Sequence, residues 1–386
     1  MLKGDSKYVL AIKLTALLGL SACGGSKDKN IDRGLYTFDE EKTLSLPLDS
    51  ATSQETSYIQ LINDSTLSFF NSPTYDICLY DLNKKKLIDK IKIYREGPNA
   101  VNGITAYCIQ SPDSIWLFQS WGTKVTLINK EGEVKNNYDV GRLLKEEDDN
   151  LGVSPYPSSE TPYTVFGGKH LLQGMAGGIE TGKTPGATVL FDPVTNKIET
   201  ANEYPELYGE AADMYENWHP FAYMHTTYTL SPKGEIVTSF PASDSLYVYN
   251  PRTREKRSYY AAYSKPTDIK PGTSGKPGDA ETLYLGQYAY KNILYDKTTG
   301  LYYRLLSVPF EPTTDNLTVE LTKKPIVAIM LDSDFNIVGE CQLPEDRYYS
   351  AHTFVNSHGL HVNTVSDDDD YMTFKVLAPV KRNSSK

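Results

Sequence analysis

The residue whose chemistry is easiest to assign is a cysteine near the N-terminus. Cys23 follows Leu20-Ser21-Ala22 and an apolar run, Leu14–Leu20, that is too short to span a bilayer as a helix. Basic residues precede this run at Lys3, Lys7 and Lys13. Basic flank, apolar stretch and small residues at a cleavage point are typical of a secretory signal, and a cysteine directly after them indicates a bacterial lipoprotein whose thiol carries lipid.

The lipoprotein interpretation divides the chain into three parts. It predicts a signal peptide over residues 1–22, a lipidated tether over residues 23–34, and one folded domain over residues 35–380. The alternative is an N-terminal helix of a cytosolic protein with a chance cysteine, but Gly24-Gly25-Ser26 favours a flexible tether. We therefore expect attachment to a membrane of the cell envelope, with the outer membrane favoured and its side left open.

The remaining cysteines indicate no metal or redox chemistry. Cys78 and Cys108 lie in apolar strand patterns and are predicted to be buried, and Cys341 makes the number odd, so at least one thiol is free. No CxxC pair or His/Cys spacing predicts a metal site, and no motif predicts a cofactor.

Three segments match ligand-binding patterns only in part. Gly177–Thr184 fits the phosphate-loop pattern, but Pro185 and Gly186 follow where a helix should begin, so a glycine-rich hairpin loop is the better interpretation. Asp332–Asn336 resembles the start of an EF-hand loop, yet Ile337 replaces the required glycine, which favours a strand-connecting turn. Asp367–Asp370 is interpreted as a solvated hairpin tip, with calcium binding as the lesser alternative.

The net charge argues against a nucleic-acid-binding protein, and two common catalytic motifs are absent from the sequence. The net charge is −10, from 39 basic and 49 acidic residues, without the basic stripe that nucleic-acid binding requires. No GxSxG or HExxH motif is present.

The elements that must position any site are predicted to be strands. The chain holds 29 Tyr, 27 Gly and 22 Pro, with Val, Ile and Thr in short runs, which favours many short strands and tight turns. A unit of strand, turn, strand and Asx-type turn recurs, with turns at Ser111–Ser114 and Ser231–Gly234. We predict an all-β single propeller of six four-stranded blades, with seven as the alternative, and with helical or irregular loop insertions at Leu143–Pro162, Tyr204–Phe221 and Ser264–Gly278. The segment Leu35–Leu48 is expected to complete the last blade and remove an exposed sheet edge.

The lipoprotein signal, Leu79-Tyr80-Asp81-Leu82 and Arg95-Glu96-Gly97-Pro98-Asn99 together resemble a family of propeller lipoproteins of Gram-negative anaerobes that is itself of unknown function. That family is similar to six-bladed TolB-like β-propellers. The resemblance implies the fold and a cell-envelope location, and it carries over no catalytic residue.

Aligning the repeats places Tyr107 and His352 at one level of the innermost strands, and His225 and Lys291 two residues earlier on the same face. Trp218 lies in the insertion before His225. If the innermost strands line a central channel, these residues are candidates for ligand binding at one mouth. The alternative is that they are ordinary strand-entry residues in a water-filled funnel.

We therefore expect a lipid-anchored extracytoplasmic protein that binds a small molecule, glycan or protein at the channel mouth, with the membrane as its other partner. The alternatives are a propeller hydrolase or lactonase that uses the same mouth, and a scaffold subunit of an outer-membrane complex. An enzyme would show a perturbed histidine or metal in the funnel, and a scaffold would show an extended apolar patch.

Overall fold

The computed structural model describes residues 31–39, 42–146, 153–176, 186–209, 218, 223–272 and 279–382. The signal peptide, Cys23 and the phosphate-loop match at 177–184 lie outside these residues. The described chain begins with two short strands, β1 (Tyr36–Phe38) and β2 (Lys42–Pro47), and then runs through repeated sets of strands.

The later strands form six sheets that are arranged as a six-bladed β-propeller, which confirms the predicted fold class and decides between six and seven blades. Blade 1 holds β3–β6 (Ile59–Asn63, Thr66–Asn71, Asp76–Asp81, Lys86–Lys92), and blade 2 holds β7–β10 (Ile104–Ser111, Ser114–Gln119, Lys124–Ile128, Val134–Asp139). Blade 3 holds β11–β15 (Val153–Pro155, Thr164–Phe166, Lys169–Ala176, Gly186–Asp192, Lys197–Glu203). Blade 4 holds β16–β19 (Thr227–Leu230, Ile236–Ser239, Ser245–Tyr249, Lys256–Tyr260), and blade 5 holds β20–β23 (Ala289–Tyr295, Tyr302–Ser307, Ile326–Leu331, Ile337–Gln342). Blade 6 holds β24–β26 (Tyr348–Asn356, Gly359–Thr364, Tyr371–Leu377), and β27 (Pro379–Lys381) follows it.

The turn after the third strand of a blade is closed by its own side chain. The Asp81 carboxylate accepts hydrogen bonds from the backbone amides of Asn83 and Lys84, and Asp192 does the same for Val194 and Thr195. Asp332 likewise caps the turn between β22 and β23. Asx turns of this kind explain why the Asp/Asn signal recurs along the sequence, and they confirm that Asp332–Asn336 is a strand-connecting turn.

The N-terminal segment closes the ring. β2 pairs antiparallel with β26 as the outer strand of blade 6, with Leu44 opposite Phe374, which confirms the prediction for the second half of Leu35–Leu48. β1 pairs parallel with β23 of blade 5 and antiparallel with β27. Arg33 and Ser264 both bind the Glu340 carboxylate on β23. We call residues 32–38 the N-terminal clasp, because they join the start of the described chain to the outer edge of blade 5.

The two faces of the propeller differ in the loops that they carry. The innermost strands are β3, β7, β12, β16, β20 and β24, and we call the face on which they begin the mouth face. Connections between blades lie on the mouth face. The hairpins that leave the innermost strands, and the Asx turns described above, lie on the opposite face.

Short helices occupy the connections. They are α1 (Val140–Glu146), a 3₁₀ turn (Glu206–Tyr208), α2 (Asp279–Gly286) and α3 (Leu317–Thr322). The 3₁₀ turn falls in the predicted insertion Tyr204–Phe221, and α2 follows directly on the predicted insertion Ser264–Gly278. In the described part of the chain, no helix has the length and apolar character needed to cross a membrane.

Apolar side chains pack between adjacent blades, and Cys78 and Cys108 are buried among them as predicted. Several charged side chains also lie inside, and Arg304 is among the fully buried ones. Arg304 of blade 5 donates to Ser239 Oγ at 3.0 Å, Ala261 O at 3.0 Å and Ser243 O at 2.6 Å, all in or directly after blade 4. Its guanidinium carbon stands 3.7 Å from the Tyr290 ring centroid, so every face of the buried cation has a partner.

Candidate functional site

A cavity of about 570 Å³ follows the propeller axis, and innermost strands of all six blades line it. At its mouth end it is bounded by residues 158–163, which belong to the insertion between β11 and β12 of blade 3. This mouth segment is fixed by hydrogen bonds to other blades. The Ile59 amide donates to Ser159 Oγ at 3.0 Å, the Tyr163 amide donates to the Tyr58 hydroxyl at 2.9 Å, and the Tyr228 hydroxyl donates to Pro162 O.

The mouth segment places an acidic side chain where the innermost strands begin. The Glu160 side chain is 9% exposed, and its Oε2 lies 3.7 Å from His225 Nδ1. Burial alone would raise the pKa of Glu160, but the positive charge of Lys291 and, to a smaller extent, His225 and His352 lower it to about 2. Glu160 is therefore a buried anion.

Lys291 provides the main counter-charge. Burial would lower its pKa, but Glu160 and the Tyr284 ring keep the pKa above the usual value for lysine. Tyr284 of α2 separates two lysines, with Lys291 Nζ 4.7 Å and Lys324 Nζ 3.9 Å from its ring centroid. Burial and the neighbouring Lys291 lower the pKa of Lys324 to about 6, so its amine is largely neutral at pH 7 and donates to the carbonyls of Tyr284 and Gln287.

The outer rim of the site is aromatic. Tyr156 is 40% exposed and its ring centroid lies 5.8 Å from that of His225. Tyr349 is 45% exposed and lies 4.6 Å from the ring of His352. His352 itself is buried, which lowers its pKa to about 4 and leaves it neutral at pH 7. Two half-exposed phenol rings therefore stand over a buried polar floor.

The site contains buried polar atoms without a partner among the described residues. His225 Nε2 is buried and accepts or donates no hydrogen bond within that part of the chain, and the same is true of Asn292 Oδ1 in the lining of the cavity and of Thr105 Oγ1 on β7. Because native proteins satisfy nearly all buried polar atoms, such a group at a cavity mouth is a candidate ligand contact.

The structure brings together three of the five candidates from the sequence, His225, Lys291 and His352. Tyr107 was expected at the same level but is fully buried, and its hydroxyl donates to Ser68 Oγ at 3.0 Å. Trp218 was expected in a solvated loop over the mouth but is 2% exposed and packs against Tyr208 and Tyr223. Both side chains are drawn into the core because burial of their large rings is favourable.

Glu160, the residue at the centre of the cluster, was not predicted from the sequence, because it lies in an insertion that the strand period does not govern. Its position after Pro157-Ser158-Ser159 in a long insertion was the only available signal. Tyr156 and Tyr349 were also missed, since tyrosine is common throughout the strands of this chain.

Other motifs do not join the cluster. Asp367–Asp370 forms the exposed connection between β25 and β26, where Asp367 contacts Arg347 at 3.0 Å and Asp369 accepts from Gln54. Among the described residues, no group of three His, Cys, Asp or Glu side chains is placed to hold a metal ion.

Six blades around an axial cavity, with a buried charged cluster at one end, define this protein as a six-bladed β-propeller. The model of the "Domain of unknown function (DUF4221)" family matches residues 35–342, and the chain belongs to this family. The match confirms the resemblance to a propeller family of unknown function.

Solved structures agree with this assignment. A DUF4221 family member from Bacteroides vulgatus ATCC 8482 is 20% identical, covers 91% of this chain and 100% of its own, and superposes with a TM-score of 0.76. A protein from Bacteroides fragilis NCTC 9343 that is described as exported is 9% identical, covers 92% of this chain and 98% of its own, and has a TM-score of 0.54. At these identities the similarity shows the fold alone. No curated protein sequence matches the chain.

Proposed function

We propose that this protein is a lipid-anchored, extracytoplasmic binding protein whose mouth-face site takes a glycan. The location is supported by the lipoprotein signal that ends at Cys23 and by the fold shared with a protein described as exported. The binding role is supported by the mouth cluster, which we define as Glu160, His225, Lys291 and His352. Its charged groups and the unpartnered His225 Nε2 have no evident role in packing.

The observation that carries the proposal is the unpartnered His225 Nε2 beside the buried Glu160 carboxylate. A proton on Nδ1, the nitrogen that faces Glu160, leaves Nε2 as an acceptor. Leaving such an atom buried without a donor costs about 1–3 kcal/mol. A ligand that brings a hydroxyl or N–H group to this point recovers that energy.

The chemistry of the site favours a sugar. Glu160 and His225 Nε2 both accept hydrogen bonds, and a sugar presents several hydroxyl donors at short spacing. The exposed rings of Tyr156 and Tyr349 provide flat apolar surfaces with a polar hydroxyl, which suit the C–H face of a pyranose. A peptide is the competing ligand class.

Glycan and peptide arrays probed with the purified mature chain test the proposal. We expect glycan hits only, and about a fivefold to tenfold loss of affinity for Tyr156→Ala or Tyr349→Ala, since the energies of aromatic contacts are of this order. Tyr260→Ala is the matched control, because Tyr260 is 42% exposed and lies at the end of the outer strand of blade 4. Peptide hits alone, or equal losses for all three variants, would contradict the glycan assignment.

The anchor is tested separately. Cys23→Ala should abolish incorporation of labelled fatty acid and leave the propeller folded, because Cys23 precedes the first described strand by more than ten residues. Labelling of the Cys23→Ala protein at the wild-type level would remove the support for a lipoprotein.

Two observations favour one second candidate, a hydrolase: the Glu160–His225 contact and the lowered pKa of His352 at the same mouth. A carboxylate next to one imidazole nitrogen orients the ring and leaves the other nitrogen to take a proton from water. Under this alternative, His225→Ala would abolish the cleavage of a bound glycan, while the affinity for that glycan would fall little. For a binding protein, no product appears with either form of the chain.

A further inference from the structure

The N-terminal end of the described chain leaves the propeller on the face opposite the mouth. The Asp32 amide donates to Ile337 O at 3.0 Å, and the Glu340 amide donates to Arg33 O at 3.0 Å. Ile337 begins β23 directly after the turn at Asp332–Asn336, which lies on the opposite face. Residues 31–33 therefore lie at that face, at the outer edge of blade 5.

The tether fixes how far this face can stand from a membrane. Cys23 and Ile31 are eight positions apart, so even a fully extended segment spans at most about 28 Å. This distance is comparable to a small domain diameter, so a lipid on Cys23 would keep the opposite face near the bilayer.

A basic cleft lies on this same face, where the ring closes between blades 6 and 1. Its volume is about 500 Å³, and its lining includes Lys42, Lys85, His358 and the polar side chains of Asn356 and Ser357. The Ser357 amide and hydroxyl donate to the Asp64 carboxylate, so one anion stands at the edge of the cleft. Lys42 begins β2, Lys85 lies in the turn between β5 and β6, and both are exposed. Neither lysine forms an ion pair with a described residue.

Exposed charges of both signs occur on the two faces, and the run of four carboxylates at Asp367–Asp370 lies on the mouth face. Exposed carboxylates of the mouth face include Glu96, Glu206, Asp268, Glu311 and Asp367–Asp370. On the opposite face, the carboxylates of Asp81, Asp192 and Asp332 are engaged by their own turns. The exposed carboxylates of this face include Asp64, Asp113, Glu131 and Glu255. Exposed cations there include Lys84, Lys85, Lys130, Arg252, Arg254 and Lys297.

We propose that the face around the Lys42/Lys85 cleft docks on an anionic lipid surface, with headgroup phosphates entering the cleft. The inference rests on the proposed lipid anchor, which brings the two surfaces together. Lysines close to an anionic membrane each strengthen its attraction, and the tether adds to this by raising the local concentration of the cleft at the bilayer. The mouth cluster then points away from the membrane.

Vesicle flotation tests docking without the anchor. The protein is the mature chain with Ala in place of Cys23, which retains every described strand, and the vesicles are phosphatidylcholine alone or with one-quarter phosphatidylglycerol. We expect binding to the anionic vesicles only, a steep decrease with added NaCl, and a loss of at least about tenfold for K42E/K85E. The matched control is K145E/K265E, which makes the same charge change at two exposed lysines of the mouth face.

Each outcome decides the proposal. No binding of the wild-type chain to anionic vesicles, or equal losses for the two double variants, overturns docking through the cleft. Inorganic phosphate that displaces the protein more strongly than NaCl of equal ionic strength would show an ion site rather than a lipid-docking surface. Because the chain used here carries no lipid, failure of docking is distinguishable from failure of the Cys23 labelling experiment.

Discussion

Three buried histidines make the stability of this fold depend on pH. His170, His352 and His361 are each at most 4% exposed, and burial lowers the pKa of each from 6.5 to about 4. Between these values the unfolded chain binds protons that the folded chain excludes. Stability from these groups is therefore fully present above about pH 6.5 and is lost as the pH falls towards 4.

We predict that the urea midpoint falls between pH 7 and pH 4.5. One pKa unit corresponds to about 1.4 kcal/mol, so each histidine contributes up to about 3 kcal/mol to the difference. His352→Gln should flatten this dependence, whereas His358→Asn, at an exposed histidine, should leave it unchanged. A midpoint that is constant over this range would show that these side chains are charged in the folded state.

The residues of the site were predictable only where the strand period governs them. His225, Lys291 and His352 lie at or beside innermost strands, so alignment of repeats was enough to place them near one another. Glu160 is held by contacts of the mouth segment with Tyr58, Ile59 and Tyr228, which are distant in sequence. Such contacts depend on tertiary packing, and no local pattern encodes them.

Between elements, the buried Arg304 joins two neighbouring blades. Its partners on and after blade 4 are a hydroxyl and backbone carbonyl groups, which would lose their donors if the guanidinium were replaced. The planar fork of arginine matches several acceptors at once, which a lysine ammonium does not.

Arg304→Lys should therefore lower the free energy of unfolding by about 2–4 kcal/mol, as is typical when buried polar partners are left unpaired. Chemical denaturation with intrinsic fluorescence measures this. Arg254→Lys is the control, because the Arg254 side chain is 77% exposed and the change should fall within about 0.5 kcal/mol. Equal effects of the two substitutions would mean that the contacts of Arg304 contribute little.

Strands and turns could be predicted where the same turn residues recur along the chain. The helices inside the insertions could not. Asp81, Asp192 and Asp332 marked the hairpins because a short carboxylate stabilises a turn locally. In contrast, α3 at Leu317–Thr322 is a short helix that is capped by the Asn316 side chain and lies in a connection of blade 5. A helix of this length is marginal in isolation, so its sequence gives only a weak signal.

At the scale of the whole molecule, ring closure depends on six residues of β2. Leu46 is fully buried between blades 6 and 1, opposite Met372, while Thr43 of the same strand is exposed. The N-terminal strand thus supplies both the last ladder of blade 6 and part of its core.

Leu46→Ala should cost about 2–5 kcal/mol, because the cavity lies at the one seam that the ring must close. Thr43→Ala, in the same strand, should cost less than about 0.5 kcal/mol. Thermal melts of the two variants measure the difference. Similar melting temperatures would show that the ring remains closed without this strand's core contact.

The N-terminal clasp also has a mechanical consequence. A membrane tether on Cys23 would transmit any pulling force through residue 31 into β1, before the force reaches β2. β1 is held by backbone pairing on both edges, to β23 and to β27, and by the Arg33–Glu340 ion pair. Drag on a bound ligand would thus load blade 5 first, and the strand that closes the ring would bear tension only after the clasp had torn.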